Sequence, residues 1–193
     1  MKYIYKGLPC LKSPIDLAIY MLLIHDQKPG SIIEIGSFHG GAAVFYNDLC
    51  SNYGLSTQIV TVDFRALGNA KDFNSPVEFI QADALSLKDS PLHDRLNSLP
   101  RPWLIIEDSA HTRDVTFAVM EYFMERMQPG EYLIIEDGVI EDQNANKNYG
   151  GGPNLAVHDF FLKYPETFYV DEHYNDFFGR NASFNPNGYL RKI

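Results

Sequence analysis

Cysteine is scarce in this 193-residue chain: Cys10 and Cys50 are its only two. They lie far apart, which excludes a disulfide framework and offers no metal-ligand spacing, so both are expected to be plain thiols in or near the core. Long apolar runs are missing too. Stretches such as Leu17 to Ile24 fall far short of the roughly 20 residues a bilayer-spanning helix needs, and Lys2 alone does not make the basic start of a signal peptide. The expectation is a cytoplasmic protein with no membrane partner. Basic charge is in short supply, with 16 Lys and Arg against 25 Asp and Glu and a formal charge of −9. That balance disfavours nonspecific attachment to nucleic acid or to anionic lipid. No internal repeat, low-complexity tract or linker-like break divides the chain, so residues 1–193 are expected to form a single domain. The glycine-rich stretch "EIGSFHGG", 34–41, also lacks the full G-x-G-x-x-G of a dinucleotide-binding turn.

What the chain does contain is ordinary globular material, 45% hydrophobic and 21% charged, arranged in a recognisable alternation. Short apolar bursts recur at 31–36 ("SIIEIG"), 58–64 ("QIVTVDF"), 77–83 ("VEFIQAD"), 103–108 ("WLIIED") and 132–138 ("YLIIEDG"). Between them, Ile15 to His25, Ala42 to Cys50, Leu85 to Leu99 and Val115 to Met127 repeat apolar residues at three- and four-residue spacing. Nearly continuous β-branched runs separated by helical patterns predict an α/β fold, Rossmann-like, with a mostly parallel central sheet covered by helices on both faces. "MQPGEY" supplies a helix stop before the fifth strand. A further helix is expected over Asn154 to Tyr164. After it, "TFYVDEHY" and "GYLRKI" suit a C-terminal antiparallel strand pair closing one edge of the sheet.

Carboxylates fall where such a sheet binds ligands. Glu34 and Gly36 stand at the end of the first strand, with Ser37 and Gly40 in the turn that opens the next helix, where backbone can approach a ligand closely. Asp63 ends the second strand, a place from which a carboxylate accepts hydrogen bonds from both hydroxyls of a ribose. Asp83 ends the third, suited to an adenine edge. The Gly pair Gly40-Gly41 comes late for a pyrophosphate, so a nucleoside without one fits better than NAD. The pattern resembles the class I S-adenosylmethionine-dependent methyltransferases, which places Glu34 and Gly36 beside the methionine half of that cofactor.

The fourth and fifth strands both end in an acidic pair. Clustered carboxylates raise one another's pKa unless a cation neutralises them, and all-oxygen ligation suits Mg²⁺, Ca²⁺ or Mn²⁺. Asp108, Glu136 and Asp137 are the expected metal ligands, with Asp108 also at the reacting centre. Glu107 is expected to be a solvated loop residue or a helix cap. His111, three residues after Asp108, is placed either to take a proton from a substrate hydroxyl or to support a metal-bound group; as an isolated histidine at a helix start it is as often neither.

"GLPCLKSPIDL", "IIEIGSFHGG", "IIEDSAH", "IIEDG", "YGGGPNLAV" and "FNPNGYLRK" together resemble the cephalosporin hydroxylase family, whose members are regarded as methyltransferases despite the name. The resemblance runs from about residue 5 to the end. It implies S-adenosylmethionine binding, a Mg²⁺ site falling on Asp108, Glu136 and Asp137, and methyl transfer to a hydroxyl on an antibiotic or sugar, that is, a small-molecule substrate. The chain is shorter than larger members, whose longer N-terminal region helps enclose substrate.

Residues 141–153, rich in Asn and Gly and ending at Pro153, read as a lid or as an ordinary flexible connection. Tyr174, Phe177, Phe178 and Phe184 suit a substrate pocket, the interface of a homo-oligomer, or core packing. Two other functions remain open on sequence alone: a non-catalytic S-adenosylmethionine-binding protein, and an NAD-dependent oxidoreductase.

Overall fold

The computed structural model describes residues 3–66 and 76–193; Lys2 lies outside them. The chain begins with a small hairpin, β1 (Ile4–Tyr5) and β2 (Leu8–Pro9), whose two turn residues Lys6 and Gly7 both have positive φ. That is the turn geometry whose twist matches antiparallel strands. Ser13 then caps helix α1 (Pro14–Gln27), its hydroxyl accepting from the N–H groups of Ile15 and Asp16, with Pro14 at the first helical position.

Strand β3 (Ser31–Ile35), helix α2 (Gly41–Asn52), strands β4 (Gln58–Asp63) and β5 (Glu78–Gln81), helix α3 (Pro91–Leu96), strand β6 (Trp103–Glu107), helix α4 (Arg113–Met124) and strand β7 (Tyr132–Ile135) follow. The chain closes with helix α5 (Gly152–Lys163), strand β8 (Phe168–Val170), a helical turn α6 (Glu172–Asn175) and strand β9 (Tyr189–Lys192). In the described residues seven strands form one sheet in the order β5-β4-β3-β6-β7-β9-β8. The first five of these neighbours run parallel, and β9 pairs antiparallel with both β7 and β8. The expected Rossmann-like sheet and its antiparallel C-terminal pair are both present. No described helix is long and apolar enough to cross a membrane.

Two local expectations are corrected. The single helix expected over 85–99 is broken into a 3-10 segment, Ala84–Asp89, and α3. Pro91 holds the preceding Ser90 extended at φ −105°, ψ 160°, as the pyrrolidine ring's clash with the residue before it requires. In "TFYVDEHY" the strand stops at Val170, because the Asp171 side chain accepts the N–H of His173 and starts α6.

Alternation along the strands divides the core. Ile33, Ile35, Val60, Val62, Ile105 and Leu133 face a layer containing Leu92, Val119, Phe123 and Phe160. Ile32, Ile59, Leu104, Ile106 and Ile134 face α1 and α2 through Tyr20, Leu23, Ala43 and Tyr46. Cys10 and Cys50 are free and buried. The chain steps outward from β3 to β4 and β5 and then returns to the other side of β3 as β6. This reversal leaves a crevice at the carboxyl ends of β3, β4 and β6, where open α/β sheets bind their ligands.

Candidate functional site

A cavity of about 340 Å³ opens in that crevice, bordered by Glu34, Gly36, Ser37, Asp63, Asp83 and Asp108 among others. Gly36 has φ +110°, and a Cβ there would lie 2.0 Å from the carbonyl oxygen of Asp108. The glycine is therefore demanded by the neighbouring strand end as well as by any ligand. The N–H groups of Gly36 and Ser37 both donate to the carbonyl of Val62, and that of Gly40 donates to the carbonyl of Ser37. Phe38 N–H donates to Asp63 Oδ2 at 2.9 Å. These four turn donors are already engaged within the chain. Counting G-x-G-x-x-G from Gly36 puts Phe38 at the second glycine and Gly41 at the third. Phe38 keeps the left-handed backbone of a glycine, φ +50°, and its ring borders the cavity. Gly41 serves packing: a Cβ would meet the Pro9 carbonyl at 2.3 Å. Gly40 adopts φ +78° at the cap of α2 and stands behind the turn, away from the cavity lining.

Glu34 is fully buried. Its Oε2 lies 2.6 Å from the Thr61 hydroxyl, which is equally close to Ser37 Oγ, while Oε1 has no partner among the described residues. Burial pushes the Glu34 carboxyl up to about 8, against the pull of Lys12 and Thr61. A buried acceptor without a donor, beside a cavity, fits a ligand ammonium or hydroxyl. Asp63 is buried and takes a second N–H, from Arg65, on Oδ1 at 3.0 Å. Asp83 is exposed and caps the 3-10 segment by accepting Leu85 N–H at 2.9 Å.

Strand alternation sends Glu107 and Asp108 in opposite directions, whereas Asp137, beyond the end of β7 with left-handed backbone, turns back toward Asp108. Glu107, expected in solvent or at a cap, is buried. It follows Ile105 on the face toward α4, accepts from the Ser109 hydroxyl at 2.6 Å, and leaves Oε2 without a partner. Burial raises its pKa to about 8. Asp108 and Glu136 turn instead toward the segment that precedes α1, where Lys12 lies between them. The Lys12 side chain is 2% exposed, and its ammonium is 2.5 Å from Glu136 Oε2 and also pairs with Asp108 Oδ2. Tyr20 donates to the other Glu136 oxygen at 2.5 Å. Burial opposes the lysine's charge, but the two carboxylates outweigh it and hold its pKa well above the ordinary value. Burial likewise pushes Asp108 up to about 6 and Glu136 to about 7.

Asp137 and His111 both adopt left-handed backbone, φ +58° and +54°, which brings the His111 Nε2 to 3.4 Å from Asp137 Oδ2 and 3.9 Å from Asp108 Oδ1. Donor atoms of Asp108, His111 and Asp137 all lie within 4.8 Å of one another. Two carboxylates and an imidazole are a donor set that fits a divalent cation. Of the three acids expected as ligands, Asp108 and Asp137 meet here with His111, whereas both oxygens of Glu136 are engaged by Lys12 and Tyr20. Part of the neutralising charge that the acids call for thus comes from the chain itself. Sequence reasoning missed Lys12, although it stands in the family-specific "GLPCLKSPIDL".

A second hollow of about 510 Å³ adjoins the first, bordered by Leu11, Ile140, Tyr149 and Phe184. Both share Lys12, His111 and Asp137. Phe184 is held there by its N–H, which donates to the buried Asp16 carboxylate at 3.2 Å. Tyr149 sets its ring edge toward His111, centroids 6.2 Å apart. Residues 141–153 contain the 3-10 segment Asn146–Tyr149, and Gln143 and Tyr149 of this stretch border the hollow. Of the other aromatics, Tyr174 is core, buried against Tyr132, while Phe177 and Phe178 are about half exposed.

Known proteins share this arrangement of sheet and crevice. An apo-structure of CmcI superposes with a TM-score of 0.76 at 26% identity, covering 99% of this chain and 76% of that one. A structure described as CmcI with Mg and SAM has the same TM-score at 24% identity, with the same coverage. The rhamnosyl O-methyltransferase of Mycobacterium tuberculosis (strain ATCC 25618 / H37Rv) is 27% identical over 192 residues, 98% of this chain and 78% of its own. The family model described as Rhamnosyl O-methyltransferase/CmcI matches residues 1–193, and the chain belongs to that family.

Proposed function

We propose that this protein transfers the methyl group of S-adenosylmethionine to a hydroxyl of a small molecule, a sugar or other natural product, with a divalent cation such as Mg²⁺ at the reacting centre. The observation that carries the reading is the junction of two cavities at Lys12, His111 and Asp137, which gives a donor and an acceptor one meeting place. Relatives named as rhamnosyl O-methyltransferases and a CmcI structure with Mg and SAM support the same chemistry.

When bound, S-adenosylmethionine supplies an electrophilic methyl group, and the cation supplies Lewis acidity toward the acceptor hydroxyl. The chain does the rest by positioning. Glu34 and Gly36 border the methionine half, where the unpartnered Glu34 oxygen accepts an ammonium. Ser37 and Gly40 shape the turn. Asp63, already fixed by two N–H groups, accepts from the ribose hydroxyls, and Asp83 lies toward the adenine. Asp108 and Asp137 hold the cation. His111, bordering both cavities between those carboxylates, takes the proton of the acceptor hydroxyl. Placement of two reactants in line is most of what such a transfer requires. The wall at Tyr149 and Phe184 excludes water and receives the acceptor's apolar face.

Dinucleotide-dependent oxidation is disfavoured by the engaged N–H groups of the turn. A purely cofactor-binding role is disfavoured by the second hollow. The test is incubation with hydroxylated sugars and aromatic glycosides, with Mg²⁺ or with EDTA, following S-adenosylhomocysteine release by mass spectrometry. Release that depends on an acceptor and falls in EDTA is expected. Failure of the folded protein to bind S-adenosylhomocysteine would overturn the reading.

A further inference from the structure

We infer that Leu11 is the apolar divider of the reacting centre: its side chain stands where the two cavities join, packs against the cofactor on one side and the acceptor on the other, and keeps water from the space between them. The inference rests on the function proposed above and deepens it, giving a role to a side chain that neither the carboxylates nor the glycine turn calls for.

Its position carries the inference first. Leu11 borders both cavities, together with Cys10, Lys12, His111 and Asp137. Cys10 and Lys12 are buried, and His111 and Asp137 are polar, so Leu11 is the one exposed hydrocarbon side chain at the junction among the described residues. It is 61% exposed. The other exposed large apolar side chains at these cavities border one of them only, Phe38 and Phe64 the first, Tyr3 and Phe184 the second. A single exposed leucine is ordinary on a protein surface. One at the meeting point of two hollows is placed for ligands to cover.

The chain also holds it there. Exposure alternates along the segment, Cys10 at 1%, Leu11 at 61% and Lys12 at 9%, so the neighbours on either side anchor inward while Leu11 faces out. The backbone is tied before it and after it. Cys10 N–H donates to the Tyr3 carbonyl at 3.0 Å, the Pro9 carbonyl lies so close to Gly41 that a Cβ there would meet it at 2.3 Å, and Ser13 caps α1. On so fixed a strap only the leucine's own side-chain torsions can adjust, and immobilising them costs little. Leu11 therefore offers each ligand a preformed apolar face. Hydrocarbon at this point fills space that water would occupy and presents no nucleophile to the sulfonium. Such a wall suits a transfer governed by placement.

The experiment labels freshly reduced Leu11→Cys, in the full chain, with dithionitrobenzoate. The control is Ile15→Cys, at a position 43% exposed that borders neither cavity. Cys10 and Cys50 are buried, and burial pushes the Cys10 thiol up to about 11, so both give only a slow background, read from wild type. Saturating S-adenosylhomocysteine is expected to slow the labelling of Leu11→Cys several-fold without blocking it, since the acceptor side stays open, and to leave Ile15→Cys unchanged. By calorimetry, Leu11→Ala is expected to bind S-adenosylhomocysteine about fivefold more weakly, and Leu11→Met to bind it as wild type does. Ligand-free melting temperatures should match wild type in both, because the side chain is exposed. Equal labelling rates with and without S-adenosylhomocysteine overturn the inference. So does complete protection, which would seat Leu11 in the donor site alone, and so does an affinity loss matched by a loss of ligand-free stability, which would make its role structural. If wild type itself binds no S-adenosylhomocysteine, the proposed function fails; if wild type binds it and Leu11 is indifferent, only this inference fails.

Discussion

Asp63, at the end of β4, accepts the backbone N–H of Phe38 at 2.9 Å, so a carboxylate bordering the crevice cavity also braces the turn beside it. One side chain links the second strand to the loop after the first.

Asp63→Ala should weaken S-adenosylhomocysteine binding by about 1.5–3 kcal/mol, the scale of charge-assisted hydrogen bonds. Asp63→Asn keeps an acceptor for Phe38 and should lose less. Calorimetry on folded protein decides it, and an unchanged dissociation constant in both variants would remove Asp63 from the ribose.

Phe38→Gly should leave stability within about 1 kcal/mol of wild type, since relief of the left-handed strain offsets glycine's entropy cost. The ring borders the cavity, so S-adenosylhomocysteine affinity should fall several-fold. NAD should still not bind, because the N–H groups of Gly36, Ser37 and Gly40 remain engaged. Tight NAD binding by this variant would show that the aromatic ring, rather than the occupied donors, excludes a pyrophosphate.

Gly36→Ala should destabilise the fold by about 3 kcal/mol or more, combining strain at φ +110° with a clash against the Asp108 carbonyl. Denaturant unfolding measures the loss. Wild-type stability would mean that β3 and β6 can part at their ends without cost.

Burial pushes both Glu34 and Glu107 up to about 8. A carboxyl whose folded pKa is raised binds its proton more tightly in the native state, so its contribution is full below the unfolded value near 4.5 and is lost as pH rises through 8. Stability of the ligand-free protein should therefore decline from pH 5 to pH 8, with each group adding a slope of at most about 1.4 kcal/mol per pH unit. Glu34→Gln should flatten the decline without abolishing it, because Glu107 remains. Urea unfolding at pH 5, 6, 7 and 8 tests this, and a slope unaltered in Glu34→Gln would mean that Glu34 is ionised in the native protein.

Much of this architecture was legible in the sequence because parallel strands covered on both faces must be apolar throughout. The bursts at 31–36, 58–64, 77–83, 103–108 and 132–138 correspond to β3, β4, β5, β6 and β7. Placing Asp63, Asp83 and Asp108 at one edge follows from that pattern alone, since parallel strands present their carboxyl ends together. Pro91 and Asp171 were legible as breakers, and the two local misreadings came from letting periodicity outrank them.

Tertiary structure decided the electrostatics. Whether Glu107 or Asp108 faces the crevice depends on which face of β6 meets α4, a relation set by packing; the period of two says only that they differ. Lys12 is separated from Asp108 and Glu136 by 96 and 124 residues, and no local pattern reports so distant a pairing. The left-handed backbone of Phe38, His111 and Asp137 lies equally beyond sequence rules, because these residues favour other conformations and are held there by their neighbours. Sequence determined the fold and the edge of the sheet where chemistry can occur, through the local rule that apolar runs must be covered. Folding alone determined which acid meets which cation, because ion pairing depends on distance in space, which the order of residues does not encode.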